Sequence, residues 1–247
     1  MPTYAIGDIH GQRVALDSLL RAIEPLLGAG DTVVFLGDYI DRGPDSRGCI
    51  DRILELRAST PATVIGLLGN HEDWMLRTMR DHTRHSWLLG MDALTTIASY
   101  SPAAADAIAA AVRRFGERII TERVALPYDL LFEAMPAEHR EFFESLAVWH
   151  RTADAVCTHG GCDPGAGPLG RQPREALLWG SDDFTDTYAG PEPLVYGHWN
   201  NADLDDSGRP RPRFAGHTIG IDTISHGVLT AFRLPDRRLF QSARQRV

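Results

Sequence analysis

The chain of 247 residues contains no lysine; all 25 of its basic residues are arginine. That absence excludes a Schiff-base lysine and a lysine-bearing phosphate loop. Any anion the protein grips must be held by arginine, histidine, backbone or metal. Cysteine is scarce too. Cys49, Cys157 and Cys162 are odd in number and widely placed, and they read as reduced thiols of a cytoplasmic protein. Cys157 and Cys162 flank His159, but two thiols are too few to close a four-ligand zinc site. No apolar run is long enough to span a bilayer. Met1-Pro2-Thr3-Tyr4 opens without the charged segment and apolar stretch of a secretory signal. Positive charge is in deficit. Against 33 acidic residues the arginines leave a net −8, which argues against nucleic acid and anionic membrane as partners.

What is present is a globular composition, 43% apolar, with no internal repeat and no long linker, so residues 1–247 read as a single domain. Thr32-Val33-Val34-Phe35-Leu36 reads as a buried strand. It runs into Gly37-Asp38-Tyr39-Ile40-Asp41-Arg42-Gly43, two glycines around two carboxylates and an arginine. Asp38 could bind a cation there and Arg42 an anion. A turn closed by an Asp–Arg pair is the plainer alternative, and neighbouring clusters decide between them.

Those clusters recur. Thr3-Tyr4-Ala5-Ile6 is a short strand that runs into Gly7-Asp8-Ile9-His10-Gly11, and a helix follows over residues 12–27. After the central loop, Pro44 and Asp45 open a second helix. Thr63 to Leu68 is a third strand, and Gly69-Asn70-His71-Glu72 follows at once. Strand, glycine, polar cluster and helix repeat three times, a βαβ rhythm that places the clusters at strand carboxyl ends. Residues 73–150 change character and read as a helical insertion, with His82, His85, His139 and His150 read as solvated or capping. The strand pattern resumes at Ala153–Thr158, which ends in His159-Gly160-Gly161, and Pro193–Tyr196, which ends in Gly197-His198. The remainder reads as strands with tight turns that form a second sheet.

Five strand ends thus carry Asp8 and His10, Asp38, Asn70 and His71, His159, and His198. Oxygen and imidazole donors without thiolate suit manganese, iron or zinc. Six ligand candidates exceed the three that one catalytic zinc takes. They match two metals about 3.5–4 Å apart that share a bridging carboxylate, with Asp38 as the natural bridge.

Gly-Asp-x-His-Gly, Gly-Asp-x-x-Asp-Arg-Gly, Gly-Asn-His-Glu, His-Gly-Gly and the late Gly-His, in this order, resemble the phosphoprotein phosphatase family of calcineurin-like metallophosphoesterases, in its bacterial serine/threonine protein phosphatase form. The resemblance extends to the helical region (Trp87–Tyr100, Pro136–Leu146) and to Ile221-Asp222-Thr223. It implies an α/β fold of two packed sheets flanked by helices. It implies that Asp8, His10 and Asp38 hold one metal and that Asp38, Asn70, His159 and His198 hold the other. Manganese is the first choice, with iron, zinc and magnesium as the others. A metal-bridging hydroxide would attack phosphorus directly. His71 would be the general acid, oriented by Asp41, and Arg42 would clamp the phosphoryl oxygens, so Arg42 and His71 would both touch substrate.

One departure stands out. Bacterial relatives place a second phosphate-binding arginine just after the tryptophan, but Trp179 is followed here by Gly180-Ser181-Asp182-Asp183. Arg171, Arg174 or the Arg209–Arg213 loop could replace it. The resemblance therefore implies a metal-dependent phosphomonoesterase acting on phosphorylated protein or a small phosphoester. The alternative is a symmetrical dinucleoside polyphosphate hydrolase. A non-catalytic phosphate-sensing module on the same fold would have lost ligands, and all six are present.

Overall fold

Thr3–Ile6 (β1), Thr32–Phe35 (β2) and Thr63–Gly66 (β3) are parallel neighbours, with Ile6 beside Phe35 and Phe35 beside Gly66. In the computed structural model, which describes residues 1–200 and 202–245, both faces of this sheet are covered. Alternation sorts the side chains. Tyr4, Ile6, Val33 and Phe35 pack against helices, whereas Ala5, Val34 and Leu36 pack against a second sheet. Burial on both faces is why these strands read as continuous apolar runs rather than as alternating ones.

The helices on the outer face are Arg13–Ile23 (α1) and Ser46–Ser59 (α2). Asn70–Arg80 (α3) starts at the polar cluster itself, so Asn70 and His71 are its first two residues. Six helices then form the insertion: Ser86–Gly90 (α4), Ala93–Tyr100 (α5), Pro102–Phe115 (α6), Arg118–Thr121 (α7), Asp129–Ala134 (α8) and Ala137–Glu144 (α9). The entry to α6 follows its sequence: Pro102 is the first helical residue and Ser101 Oγ accepts from the Ala104 N–H at 3.2 Å.

The insertion ends earlier than residue 150, because Trp149–Arg151 (β4) is a strand paired with Val156–Thr158 (β5). Leu194–Tyr196 (β6) lies parallel to β5. Pro210–Arg211 (β8) falls inside the Arg209–Arg213 segment read as a loop and pairs with Asp203–Leu204 (β7) in a small ribbon. Arg213–Ala215 (β9), Thr218–Gly220 (β10), Thr230–Leu234 (β11) and Arg238–Gln241 (β12) complete the sheets. Their orders are β12-β11-β1-β2-β3 and β4-β5-β6-β10-β9. The C-terminal strands are therefore shared: β9 and β10 extend the second sheet, while β11 and β12 close the first by antiparallel pairing to β1. Arg174–Trp179 (α10) and Phe184–Thr187 (α11) cover the outer face of the second sheet through Leu177 and Phe184. No described helix is long and apolar enough to cross a membrane. The three cysteines are unpaired and buried.

Two insertion histidines are neither solvated nor capping. His85 is buried between the Tyr128 hydroxyl (3.2 Å) and the Val124 carbonyl (3.0 Å). His139 is fully buried, with Nδ1 on the Tyr100 hydroxyl at 2.8 Å and Nε2 on Asp51 Oδ1 at 2.9 Å. Both rings serve as polar bridges between segments distant in sequence, His139 joining α9 to α2 and α5. Burial lowers the His139 pKa below 6.5, against the pull of Asp51, so the neutral ring stabilises the fold above that pH and the contribution is lost as pH falls below it. His139→Ala should lower the unfolding free energy by about 2–4 kcal/mol near neutral pH. The gap to wild type should narrow as the pH is taken below 6.5. Denaturant midpoints read both effects, and an unchanged midpoint would remove the ring from the list of stabilising contacts.

Candidate active site

The expected donors converge. Asp8 and His10 follow β1, Asp38 follows β2, Asn70 and His71 open α3 after β3, His159 follows β5 and His198 follows β6. Ligand atoms of His10, Asp38 and His71 all lie within 4.8 Å of one another, and so do those of Asp38, His159 and His198. Asp38 is common to both groups, as its central strand led us to expect. Its Oδ2 is 3.6 Å from His10 Nε2 and 3.7 Å from His71 Nε2, and its Oδ1 is 3.4 Å from His159 Nε2. Asp8 Oδ2 sits 4.0 Å from His10 Nε2 and accepts the His198 N–H at 2.9 Å.

The loops reach these positions through uncommon backbone. Among the described residues nine non-glycines have positive φ, and six of them are His10, Asp38, Asp41, Arg42, His198 and Asn200. Such conformations cost on the order of 1–3 kcal/mol each and persist where the surroundings over-determine them. Glycine makes the close approaches possible. A Cβ on Gly69 would lie 2.1 Å from Asp38 Oδ1, and one on Gly197 would lie 2.0 Å from Asp8 Oδ1.

The donor set fits metal. His10 donates from Nδ1 to the Ile40 carbonyl (3.0 Å) and His159 from Nδ1 to the Leu36 carbonyl (2.9 Å). Each ring thereby turns the Nε2 lone pair inward, the usual tautomer control of a metal-binding histidine. Asn70 Oδ1 faces His159 Nε2 at 2.8 Å and His198 Nδ1 at 3.1 Å, acceptor against acceptor. Turning the amide over would let its NH2 donate to both rings. A cation satisfies the three lone pairs as they stand. Asp8 Oδ1 is buried without a hydrogen-bond partner. Burial pushes His10 down to about 3 and His198 down to about 4, and also lowers His159, so these imidazoles are in the unprotonated form that ligates.

His71 is set apart. Its Nδ1 is 2.7 Å from Asp41 Oδ2 and its Nε2 is 3.3 Å from Arg42 Nη2. Burial alone would lower its pKa, but Asp38 and then Asp41 outweigh burial and raise it. Asp41 is itself locked: Trp87 Nε1 donates to Oδ2 at 2.8 Å and Thr96 Oγ1 to Oδ1 at 2.6 Å. Arg42 Nη1 lies 2.9 Å from His10 Nε2, so this guanidinium spans both histidines.

Four side chains at the site have no role assigned from sequence. Trp87 and Thr96, from α4 and α5, hold Asp41 from 46 and 55 residues away. Glu72 is fully buried and takes four backbone N–H groups, those of Asp38 (2.9 Å), Tyr39 (2.9 Å), Ile40 (3.3 Å) and Gly69 (3.1 Å). Its presence in the Gly-Asn-His-Glu motif was the available signal. Asp222 Oδ2 accepts the Asn200 N–H at 2.8 Å and fixes the loop after His198. The proposed substitutes for a second arginine are engaged elsewhere: Arg174 with Asp73, Arg209 with Gln241 and Ser242, and Arg211 with Asp205. Arg171 and Arg213 are exposed.

Comparison with known proteins agrees with this geometry. The model of the calcineurin-like phosphoesterase family matches residues 1–225. A symmetrical bis(5'-nucleosyl)-tetraphosphatase of Dechloromonas aromatica is 26% identical over 98% of this chain and 95% of its own length. Serine/threonine-protein phosphatase 1 of Salmonella typhimurium is 33% identical over 42% of this chain and 46% of its own. Over the first relatives in the comparison the match spans only 23–46% of their length. A solved structure with a provisional diadenosine tetraphosphatase assignment superimposes with a TM-score of 0.63 at 19% identity, covering 100% of this chain and 95% of that one, which shows the fold. The ordered motifs, the donor clusters they build and the family match together establish that this chain belongs to the calcineurin-like phosphoesterase family.

Proposed function

We propose that this phosphoesterase hydrolyses dinucleoside polyphosphates, with diadenosine tetraphosphate as the representative substrate. The observation that carries the reading is the extent of the relatives. Tetraphosphatases from Dechloromonas aromatica and from Halalkalibacterium halodurans align over 98% and 94% of the chain, whereas the Salmonella protein phosphatase aligns over 42%. The vacant arginine position after Trp179 supports it, because a site that grips a long phosphate chain has less need of two guanidiniums on one phosphoryl group. Serine/threonine protein phosphatase activity is the second reading, favoured by the higher identity, 33%, of the Salmonella relative over its matched part.

Either substrate uses one centre. Asp8, His10 and Asp38 would hold one divalent ion, and Asp38, Asn70, His159 and His198 the other, manganese first among the candidates. Bound there, the ions lower the pKa of water towards 7 and neutralise phosphoryl charge. Arg42, freed from His10 and His71 by substrate oxygens, binds the phosphoryl group with two parallel donors. As the phosphorus–oxygen bond breaks, the proton on His71 Nε2 passes to the leaving oxygen. Asp41 keeps that imidazole charged and aimed, and Trp87 and Thr96 keep Asp41 in place.

The manganese-loaded protein should turn over diadenosine tetraphosphate with a kcat/KM well above that on phosphoserine and phosphothreonine peptides; the reverse order would make it a protein phosphatase. Asp38→Asn should lose bound metal and nearly all activity, and full metal occupancy by elemental analysis would refute the shared-ligand role. His71→Asn should keep its metal and lose about 10²–10⁴ in kcat on alkyl phosphates. The loss on p-nitrophenyl phosphate should be smaller, because p-nitrophenolate leaves without a proton. Equal losses on both would count against a general acid.

A further inference from the structure

A cavity of about 660 Å³ opens between α3, α4 and α7, within the size range of small-molecule sites. Trp74, Arg77, Arg84, Leu89, Ile120 and Arg123 line it, and no carboxylate does. We propose that this cavity is the subsite for the remote nucleoside polyphosphate half of a dinucleotide substrate, which rests on the hydrolase reading above.

Three observations carry the inference. The first is position. α3 begins at Asn70, so Trp74 and Thr78 stand one and two turns farther along the same helix face, about 6 and 12 Å on. The wall between cavity and centre is continuous. The Trp74 ring is 5.8 Å from Trp179, which meets His198 edge-on at 5.1 Å. On the other side Gly90 lines the cavity, and its neighbour Met91 touches Asn70 Nδ2 through sulfur at 3.9 Å. A linker of several phosphates can cross that distance, but a lone phosphomonoester cannot.

The second is charge. Arg84 and Arg123 share one oxygen of Asp81, at 3.4 and 3.3 Å. Arg77 has Glu175 at 3.0 Å and Asp73, which it shares with Arg174. Four guanidiniums thus divide three carboxylates in a chain whose net charge is −8. Arg77, Arg84 and Arg123 line the cavity and their carboxylate partners do not, so phosphate oxygens there would find forked donors.

The third is the apolar element. Leu89 is 52% and Ile120 62% exposed, and both line the cavity together with Trp74. Flat apolar walls beside cationic groups suit a stacked base with its phosphates attached.

The test is the double variant Arg84→Glu/Arg123→Glu in the manganese-loaded full chain. Both side chains are more than half exposed, at 55% and 68%, so the fold should tolerate the change, and a thermal midpoint checks it. KM for diadenosine tetraphosphate should rise at least about tenfold, with KM for p-nitrophenyl phosphate as the reference that does not follow. An unaltered dinucleotide KM overturns the subsite and leaves the hydrolase reading intact. An equal rise for both substrates overturns it as well, because the arginines would then act on the shared centre. A wild-type protein that cleaves p-nitrophenyl phosphate but not the dinucleotide overturns the hydrolase reading and the subsite with it.

Discussion

The structure turns on one buried carboxylate. Asp38 leaves the end of the central strand of the parallel trio in left-handed backbone, φ 51°, and is the residue common to both donor clusters. Its loop cannot hold this shape by local preference, since the left-handed region costs a non-glycine residue energy. Glu72 supplies what is missing. By taking the N–H groups of Asp38, Tyr39, Ile40 and Gly69 on one carboxylate, it ties two strand ends into a single rigid unit. The sheet sets the positions of its ends, and Glu72 converts those positions into ligand geometry.

Concentrating acid in one buried place carries a cost. Asp8 and Asp222 are both pushed above the ordinary carboxylate range, first by burial and then by charged neighbours, Asp38 among them, and each has one oxygen without a hydrogen-bond partner. An unsatisfied buried acceptor costs about 1–3 kcal/mol. In the protein alone this arrangement opposes folding. A divalent cation held at Asp8 would supply the partner that its free oxygen lacks, and the binding free energy would add to stability because the unfolded chain offers no assembled site. The donor set is thus a poor structural device and a good metal-binding one, which agrees with the family match.

The parts legible in the sequence were local. Strand, glycine and polar residues occupy neighbouring positions, so the five strand ends and the polar residues that converge at them could be read from the chain. The parts that were not legible depend on long-range partners. Nothing near Thr96 marks it as the donor to Asp41, 55 residues earlier. His139 and His85 read as solvated or capping because their hydroxyl, carbonyl and carboxylate partners come from segments far along the chain. The division of the C-terminal strands between two sheets hangs on β11 pairing with β1, at the opposite end of the chain. Alternation identifies a strand but does not say which edge it joins.

The same long-range contacts change what the helical insertion is for. Trp87 in α4 and Thr96 in α5 fix Asp41, and Asp41 fixes His71, so the orientation of this imidazole is set by a segment outside both sheets. α4 also contributes Leu89 and Gly90 to the basic cavity along α3. One short helix therefore touches Asp41 through Trp87 and the cavity through Leu89 and Gly90. A change that repacks α4 would reach both the Asp41–His71 pair and the cavity while the donors on the strand ends stay as they are. Relatives of this chain carry the names of two different activities, and an insertion coupled in this way offers a physical route to that divergence.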